Sequence, residues 1–172
     1  MSLRDIERES IRGFLEDHAN AGTFSGQLVL DYGAGKSPYR ALIKDGGGDY
    51  LSYDSPEYGG YVGDGGSDVD LGYVESHSFD VIVTTQTWQY MGDPLNEMRF
   101  LRSRLHEWGV LLATVPGCWP WIEKDDLWRF TLSGVERLLK NAGFSRVSAQ
   151  ERAHVNFEGE RWPIGWQATA RP

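Results

Sequence analysis

Residues 29–40, VLDYGAGKSPYR, bring an acid and two glycines into one short stretch: Asp31 closes an apolar run, and Gly33 and Gly35 follow it ahead of a helix-forming segment. Glycine admits left-handed backbone and lets a ligand approach the main chain closely, so a GxG between a strand and a helix suits a small polar ligand at the edge of a sheet. Standing alone, the same pair equally fits a plain tight turn. A second acid, Asp54, follows another strand-like run (50–53) at about the separation where doubly wound folds put a carboxylate on a ribose. A solvated loop carboxylate fits that position as well. A dinucleotide site would carry a third glycine in GxGxxG, and Pro38 stands there instead, which leans the pattern away from NAD.

Other chemistry-bearing residues are sparse. Of the histidines His18, His77, His106 and His154, His77 falls just before a strand and His106 at the expected end of a helix. That leaves His154 as a general-base candidate, with Asp125 and Asp126 as competing carboxylates and an exposed loop histidine as the plainer account. No His or Cys cluster suggests a metal, so no metal site is expected. The single cysteine, Cys118, rules out an internal disulfide framework, and nothing marks it as a nucleophile. Aromatic residues are abundant, with 7 Trp, 8 Tyr and 7 Phe. Trp88, Tyr90, Trp119, Trp121, Trp128 and Phe130 cluster after two apolar runs, where they could wall a small-molecule pocket or simply pack a core.

The elements that must position these residues alternate along the chain. Ser2 and Asp5 form an acidic capping box, and Ile11, Phe14 and Leu15 recur at helical spacing to about Asp17. A polar linker (19–26) leads to the strand at 27–31, a helix at 38–43, a strand at 50–53 and a glycine-rich passage at 59–72. Strands at 79–84 and 110–115 flank a helix at 94–105, and Ser133 with Glu136 reads as the capping box of a helix that runs to Asn141 and stops at Gly143. Two further strands are expected at 144–150 and 166–170. This alternation describes an α/β domain with a mostly parallel, doubly wound sheet.

Composition agrees. A chain of 172 residues fits one domain, expected as a leading helix at 1–19, a core at 27–150 and a C-terminal strand region at 151–172. Its 40% hydrophobic and 24% charged residues are those of a globular protein. A net charge of -8 argues against duplex nucleic acid as a partner, since phosphate contacts require clustered Lys and Arg. Neither a long apolar run nor a secretory signal is evident, so no membrane partner is expected and the expected compartment is the cytoplasm.

With an acid two residues before the GxG, the first motif resembles that of the class I S-adenosylmethionine-dependent methyltransferases. FDVIVTTQTWQYMGDP (79–94) is similar to that family's fourth strand and following loop, LLATVPG (111–117) to its fifth strand, and DLWRFTLSGVERLLKNAGF (126–144) to a stretch of methyltransferases associated with sugar and glycan pathways. The resemblance covers about residues 27–150. It implies a Rossmann-like, mostly parallel seven-stranded sheet with an antiparallel last strand, and S-adenosyl-L-methionine across the carboxyl ends of the strands. Carried over, it puts Asp31, Gly33, Ala34 and Gly35 around the methionine part, Asp54 on the ribose, Asp68 or Asp70 at the adenine edge, and Thr85 and Gln86 beside the cofactor. It also makes Trp88, Tyr90, Trp119 and Trp128 an acceptor wall. The sequence departs from the family at LHEWGV (105–110), where Trp108 replaces the usual glycine, and in the short stretch between Asp54 and Phe79.

Methyl transfer needs in-line positioning more than a dedicated base, and aromatic faces suit a sulfonium cation. TTQT follows the fourth strand where amino-nucleobase enzymes have Asn-Pro-Pro-Tyr or Asp-Pro-Pro-Tyr, which disfavours that acceptor type. The expected function is therefore methyl transfer to a small molecule, with sugars and glycan precursors in view. The alternative is a non-catalytic module that binds S-adenosylmethionine or S-adenosylhomocysteine as a sensor or partner. The acceptor, the oligomeric state and the atom methylated stay open at this point.

Overall fold

In the computed structural model, residues 2–54, 68–69, 71–72, 75–120 and 125–172 are described. The first helix, α1 (Leu3–Asn20), starts at the capping box that its sequence spells: the Ser2 side chain accepts from Asp5 N, and the Asp5 carboxylate accepts from Ser2 N at 2.9 Å. Its apolar stripe buries Ile11, Phe14 and Leu15, and it runs three residues past the expected end before Gly22 turns the chain with a positive φ of 76°.

The strands are β1 (Leu28–Tyr32), β2 (Asp49–Tyr53), β3 (Phe79–Thr85), β4 (Leu105–Pro116), β5 (Arg146–Phe157) and β6 (Glu160–Arg171). They form one sheet in the order β2-β1-β3-β4-β6-β5. β1 to β4 pair in parallel, and β6, last along the sequence, runs antiparallel to both of its neighbours. Six strands stand in the sheet among the described residues, not the seven that the family resemblance implies. Most of the glycine-rich passage at 59–72 lies outside the described residues.

Both faces of the parallel part are covered, which is why its strands read as unbroken apolar runs. Alternation then divides them. Val29, Val81, Val83 and Leu112 pack with α1 and with Ile43 of α2 (Arg40–Asp45), while Leu30, Ile82, Leu111 and Ala113 pack with Met98 and Leu101 of α3 (Pro94–Arg104) and Leu139 of α4 (Leu132–Asn141). Among the described residues no helix is long and apolar enough to cross a membrane.

Three local expectations are corrected. β4 begins at Leu105 rather than Val110: Phe79 opposes Leu105 but Val81 opposes Val110, so residues 106–109 bulge out of register. His106 therefore does not end a helix, and it stacks on the exposed Trp108 with ring centroids 4.9 Å apart. The α4 cap is Thr131, whose hydroxyl accepts from Gly134 N at 3.1 Å; Ser133 lies inside the first turn, because extended backbone at Thr131 (φ -99°, ψ 160°) has already opened the helix. Gly143 does stop that helix, with φ 98°. Finally, β5 and β6 are far longer than expected. They form one hairpin turned by Glu158 and Gly159, both left-handed, and His154 belongs to β5 rather than to a loop.

Candidate functional site

Pairing of β1 with β2 puts Asp31 opposite Ser52 and brings the Tyr50 hydroxyl to Asp31 Oδ2 at 2.6 Å. The carboxylate is 1% exposed, and its Oδ1 is buried without a hydrogen-bond partner. Burial raises its pKa to about 6, with the Tyr50 hydrogen bond opposing the rise. Just beyond, Gly33 N and Ala34 N donate to Tyr53 O at 2.8 and 3.1 Å, and Gly35 N donates to Asp54 Oδ2 at 2.7 Å. The acid–GxG turn is thus stitched to the end of β2, which brings Asp31, Gly33, Ala34, Gly35 and Asp54 together.

The two glycines have different reasons for being glycine. Gly33 has φ 75°, and a Cβ there would stand 2.2 Å from Thr87 Cγ2, so the neighbour that demands glycine is a protein side chain. Gly35 has φ 52° and a Cβ would meet nothing within 4 Å, which leaves open room on the turn's outer side. Asp68 lies against β2, where its Oδ2 accepts from Ser52 N (3.0 Å), Ser52 Oγ (2.8 Å) and Arg40 Nη2 (2.9 Å). Asp70 and Trp121 lie outside the described residues.

A second structure occupies the ends of β3 and β4. Gln86 leaves β3 in a left-handed conformation (φ 52°), uncommon for a residue with a Cβ, and its N–H is fixed on Thr114 O at 2.9 Å. A cavity of about 200 Å³ opens there, lined by Glu7, Gln86, Gln89, Tyr90, Trp119 and Arg129, with Pro116 and Asp126 completing the wall. Thr85 ends β3 one residue earlier, beside Thr114 of β4. Thr87 Oγ1 lies 3.4 Å from Tyr32 O and 3.2 Å from Thr85 O, so the residue that follows the cavity-lining Gln86 packs on the start of the glycine turn.

Two ion pairs hold the cavity. Asp126, its side chain fully buried, meets Arg129 through both carboxylate oxygens, a bond that raises the guanidinium's pKa. From the other side Arg152 of β5, with no exposed side-chain surface, donates to Glu7 O (3.0 Å) and to Ser10 Oγ, and its Nη2 lies 3.8 Å from Glu7 Oε1. Burial pushes Glu7 up and Arg152 down, and each partner's charge opposes that shift. Gly165 makes the arrangement possible, since a Cβ there would stand 2.2 Å from Arg152 Nη2.

The expected acceptor wall is corrected in part. Tyr90 and Trp119 line the cavity. Trp88 does not: it is fully buried in the core, edge-on to Phe130 at 5.9 Å. Trp128 keeps a partly exposed ring but ties its Nε1 to Met91 O at 2.7 Å. Asp126 reaches the cavity but is consumed by Arg129, and His154 pairs with Glu151 at 3.1 Å on β5, away from the cavity lining. Glu7, Thr87, Gln89, Arg129 and Arg152 escaped the sequence reading. The Asp126–Arg129 spacing of three residues was a usable signal, whereas nothing local links residue 7 to residue 152.

No family model matches the chain, and no curated protein matches it by sequence. Solved structures do match. A SAM-dependent methyltransferase from Archaeoglobus fulgidus superimposes with a TM-score of 0.72 at 14% identity, over 96% of this chain and 94% of that one. An S-adenosylmethionine-dependent methyltransferase from Mesorhizobium loti gives 0.60 at 15% identity, over 86% and 92%. The 1,6-didemethyltoxoflavin-N1-methyltransferase of Burkholderia thailandensis, solved with its acceptor and S-adenosylhomocysteine, gives 0.67 at 18% identity, over 94% and 77%. The chain has the Rossmann-like fold of the class I S-adenosylmethionine-dependent methyltransferases.

Proposed function

We propose that the chain is an S-adenosylmethionine-dependent methyltransferase for a small-molecule acceptor, acting as one domain over residues 1–172. The observation that carries this reading is the adjacency of two rooms on one sheet edge: the Asp31, Gly35 and Asp54 turn, and the small cavity beyond Thr87. The residues present fit the cofactor. A buried, unpartnered Asp31 Oδ1 suits a cationic group, Gly35 leaves backbone room for a ligand, and Asp54, whose carboxylate the Gly35 N–H already orients, suits a ribose diol. When bound, S-adenosylmethionine supplies an electrophilic methyl group on a sulfonium.

The protein's own part is to hold and orient. Asp31 and Asp54 bind the cofactor, and Gln86, Tyr90 and Trp119 position the acceptor on the methyl side, where alignment supplies much of the rate. Sugars and glycan precursors belong to the acceptor class that such a polar, aromatic-lined cavity admits. A non-catalytic binding module is the second reading. It is favoured by one observation: none of the three bases expected from sequence is available, since Asp126 is neutralised by Arg129, His154 lies off the cavity and Asp125 is exposed and not part of its lining.

Calorimetry with S-adenosylmethionine, S-adenosylhomocysteine and NAD tests the first step, and release of S-adenosylhomocysteine on a panel of hydroxyl and amine acceptors tests the second. Binding of the first two but not NAD is expected. Binding of NAD alone, or of none, overturns the reading; binding without turnover on any acceptor selects the module.

A further inference from the structure

Two carboxylates line the cavity at the β3 and β4 ends, Asp126 and Glu7, and they are held in different ways. Asp126 has no exposed side-chain surface, and Arg129 closes both of its oxygens, Nη1 on Oδ1 and Nη2 on Oδ2, each at 2.5 Å. The other Arg129 bonds reach Trp119 O (3.1 Å), Trp128 O (2.8 Å) and Pro120 O (2.9 Å), so this pair is a brace for the loop after β4. Glu7 keeps 16% of its side chain exposed, and Arg152 approaches only one of its oxygens, with Nη2 3.8 Å from Oε1, beyond hydrogen-bond reach. The shorter bonds of Arg152 go to Glu7 O and Ser10 Oγ, on the helix behind the carboxylate. Gln86, with its amide turned so that both ends are satisfied, donates to Glu7 Oε1 at 3.3 Å and accepts from Arg152 Nη2 at 3.2 Å. Among the described residues no donor reaches Glu7 Oε2.

Glu7 also stands toward the glycine turn. Burial raises the hydroxyl pKa of Tyr39, just after that turn, and the negative charges of Glu7 and Asp31 both add to the rise. Burial lifts the Glu7 carboxyl above the ordinary glutamate range, although Arg152, Arg8, Arg4 and Arg129 oppose it. Tyr39, Tyr90 and the Asp126–Arg129 pair are the other titratable or charged groups that face it. A carboxylate made more basic by its surroundings is a better proton acceptor.

We propose that Glu7 is the general base of the transfer, its Oε2 taking the proton of an acceptor hydroxyl as that oxygen bonds to the methyl carbon. The carbon–sulfur electron pair stays on sulfur, leaving a neutral thioether, and the Glu7 carboxylic acid then gives its proton to water. Gln86 and Arg152, which hold the Oε1 side, are positioning residues. The proposal rests on the methyltransferase reading and adds the proton acceptor and a hydroxyl substrate class to that site.

The test is carbon NMR of the full chain carrying carboxyl-labelled glutamate, with the Glu7 resonance assigned by its loss in Glu7→Gln or Glu7→Asp. With S-adenosylhomocysteine bound, Glu7 should titrate above the ordinary value of 4.5. Phenol should move its resonance and lower its midpoint, because a hydroxyl donated to Oε2 favours the charged form. Turnover with S-adenosylmethionine gives a second readout. At pH 8 4-nitrophenol is already largely ionised and phenol is not. Glu7→Asp keeps the charge that faces Arg152 but withdraws it by one methylene, so it should slow methylation of phenol about tenfold more than that of 4-nitrophenol. Displacement of α1 alone would slow both alike. Failure to bind S-adenosylhomocysteine in calorimetry overturns the methyltransferase reading and the base with it. With that binding intact, a Glu7 that titrates below 4.5, a resonance blind to phenol, equal losses on the two phenols, or turnover of neither overturns the base alone.

Discussion

The glycine turn and the β3–β4 cavity lie on the same edge of one sheet, yet they are built in opposite ways. The turn is local: Asp31, Gly33, Gly35 and Asp54 fall within two neighbouring strands, and its bonds run largely through the main chain. The cavity is assembled from α1, the segments after β3 and β4, and a buried arginine of β5, and it is held by charged side chains. A local, backbone-built site can change its ligand contacts without much change in the fold. A site stitched from distant side chains shares its residues with the fold's stability, so damage there shows first as unfolding.

The largest expected effect breaks that tidy division from the local side. Gly33→Val must hold a branched residue at φ 75° and put its Cβ 2.2 Å from Thr87 Cγ2. Strain and overpacking together cost about 3–6 kcal/mol, and the melting temperature should drop by about 10 °C or more. Gly35→Val also strains a left-handed backbone (φ 52°) but meets nothing within 4 Å, so it should fold with a smaller loss of stability and lose S-adenosylhomocysteine binding. A Gly33 variant as stable as wild type would mean that the Thr87 contact is soft.

Arg129→Ala comes next. It takes the guanidinium away from the buried Asp126 carboxylate and frees three loop carbonyls, so denaturant unfolding should show a loss of about 3–5 kcal/mol. S-adenosylhomocysteine affinity, corrected for the folded fraction, should change less than threefold. An equal loss of both would show that the two regions cannot be separated.

Asp31→Asn sharpens the comparison through pH. Because the folded-state pKa, about 6, lies above the ordinary aspartate value of 3.8, the folded chain holds more protons between those values. The favourable contribution of this group is complete below the unfolded pKa and is lost as pH rises through the folded one. The variant should therefore be more stable than wild type at pH 8, by on the order of 3 kcal/mol, with the gap closing toward pH 4 in ligand-free melts. It should also bind S-adenosylmethionine more weakly; a variant that melts like wild type at both pH values would contradict the buried, strained carboxylate.

The smallest expected effect is Asp54→Ala, which should weaken S-adenosylhomocysteine binding by about 1.5–3 kcal/mol, the range for hydrogen bonds to a charged group. A calorimetric change of a few tenths would move the ribose acid elsewhere.

The same contrast explains what was legible in the sequence. Asp31, Gly33, Gly35 and Asp54 could be read because strand periodicity and turn chemistry are short-range signals. The α1 cap and the Gly143 stop were equally readable. The bulge at 106–109 was not, since register is decided by a partner strand rather than by the bulged residues. The WRFT stretch was noticed as a family likeness, but its physical content is structural: Trp128 ties to Met91, Arg129 braces a loop, Phe130 packs on Trp88 and Thr131 caps α4. Glu7 and Arg152 gave no signal, because only the folded sheet makes them neighbours.

The position of β6 carries a consequence for how this chain acquires its structure. It lies between β4 and β5 in the sheet although it follows both in sequence. During synthesis β1 to β4 can pair as they emerge, but β5 has no place in the sheet until residues 160–171 arrive to bridge it. The Arg152 side chain must wait as well, since its niche over Gly165 and beside Glu7 exists only once the hairpin has docked on α1. Contacts of such long sequence separation slow folding, and an N-terminal helix with an exposed apolar stripe must survive in the meantime. The β3–β4 cavity is accordingly the last part of the molecule to form, after the glycine turn has been in place for most of the chain's synthesis.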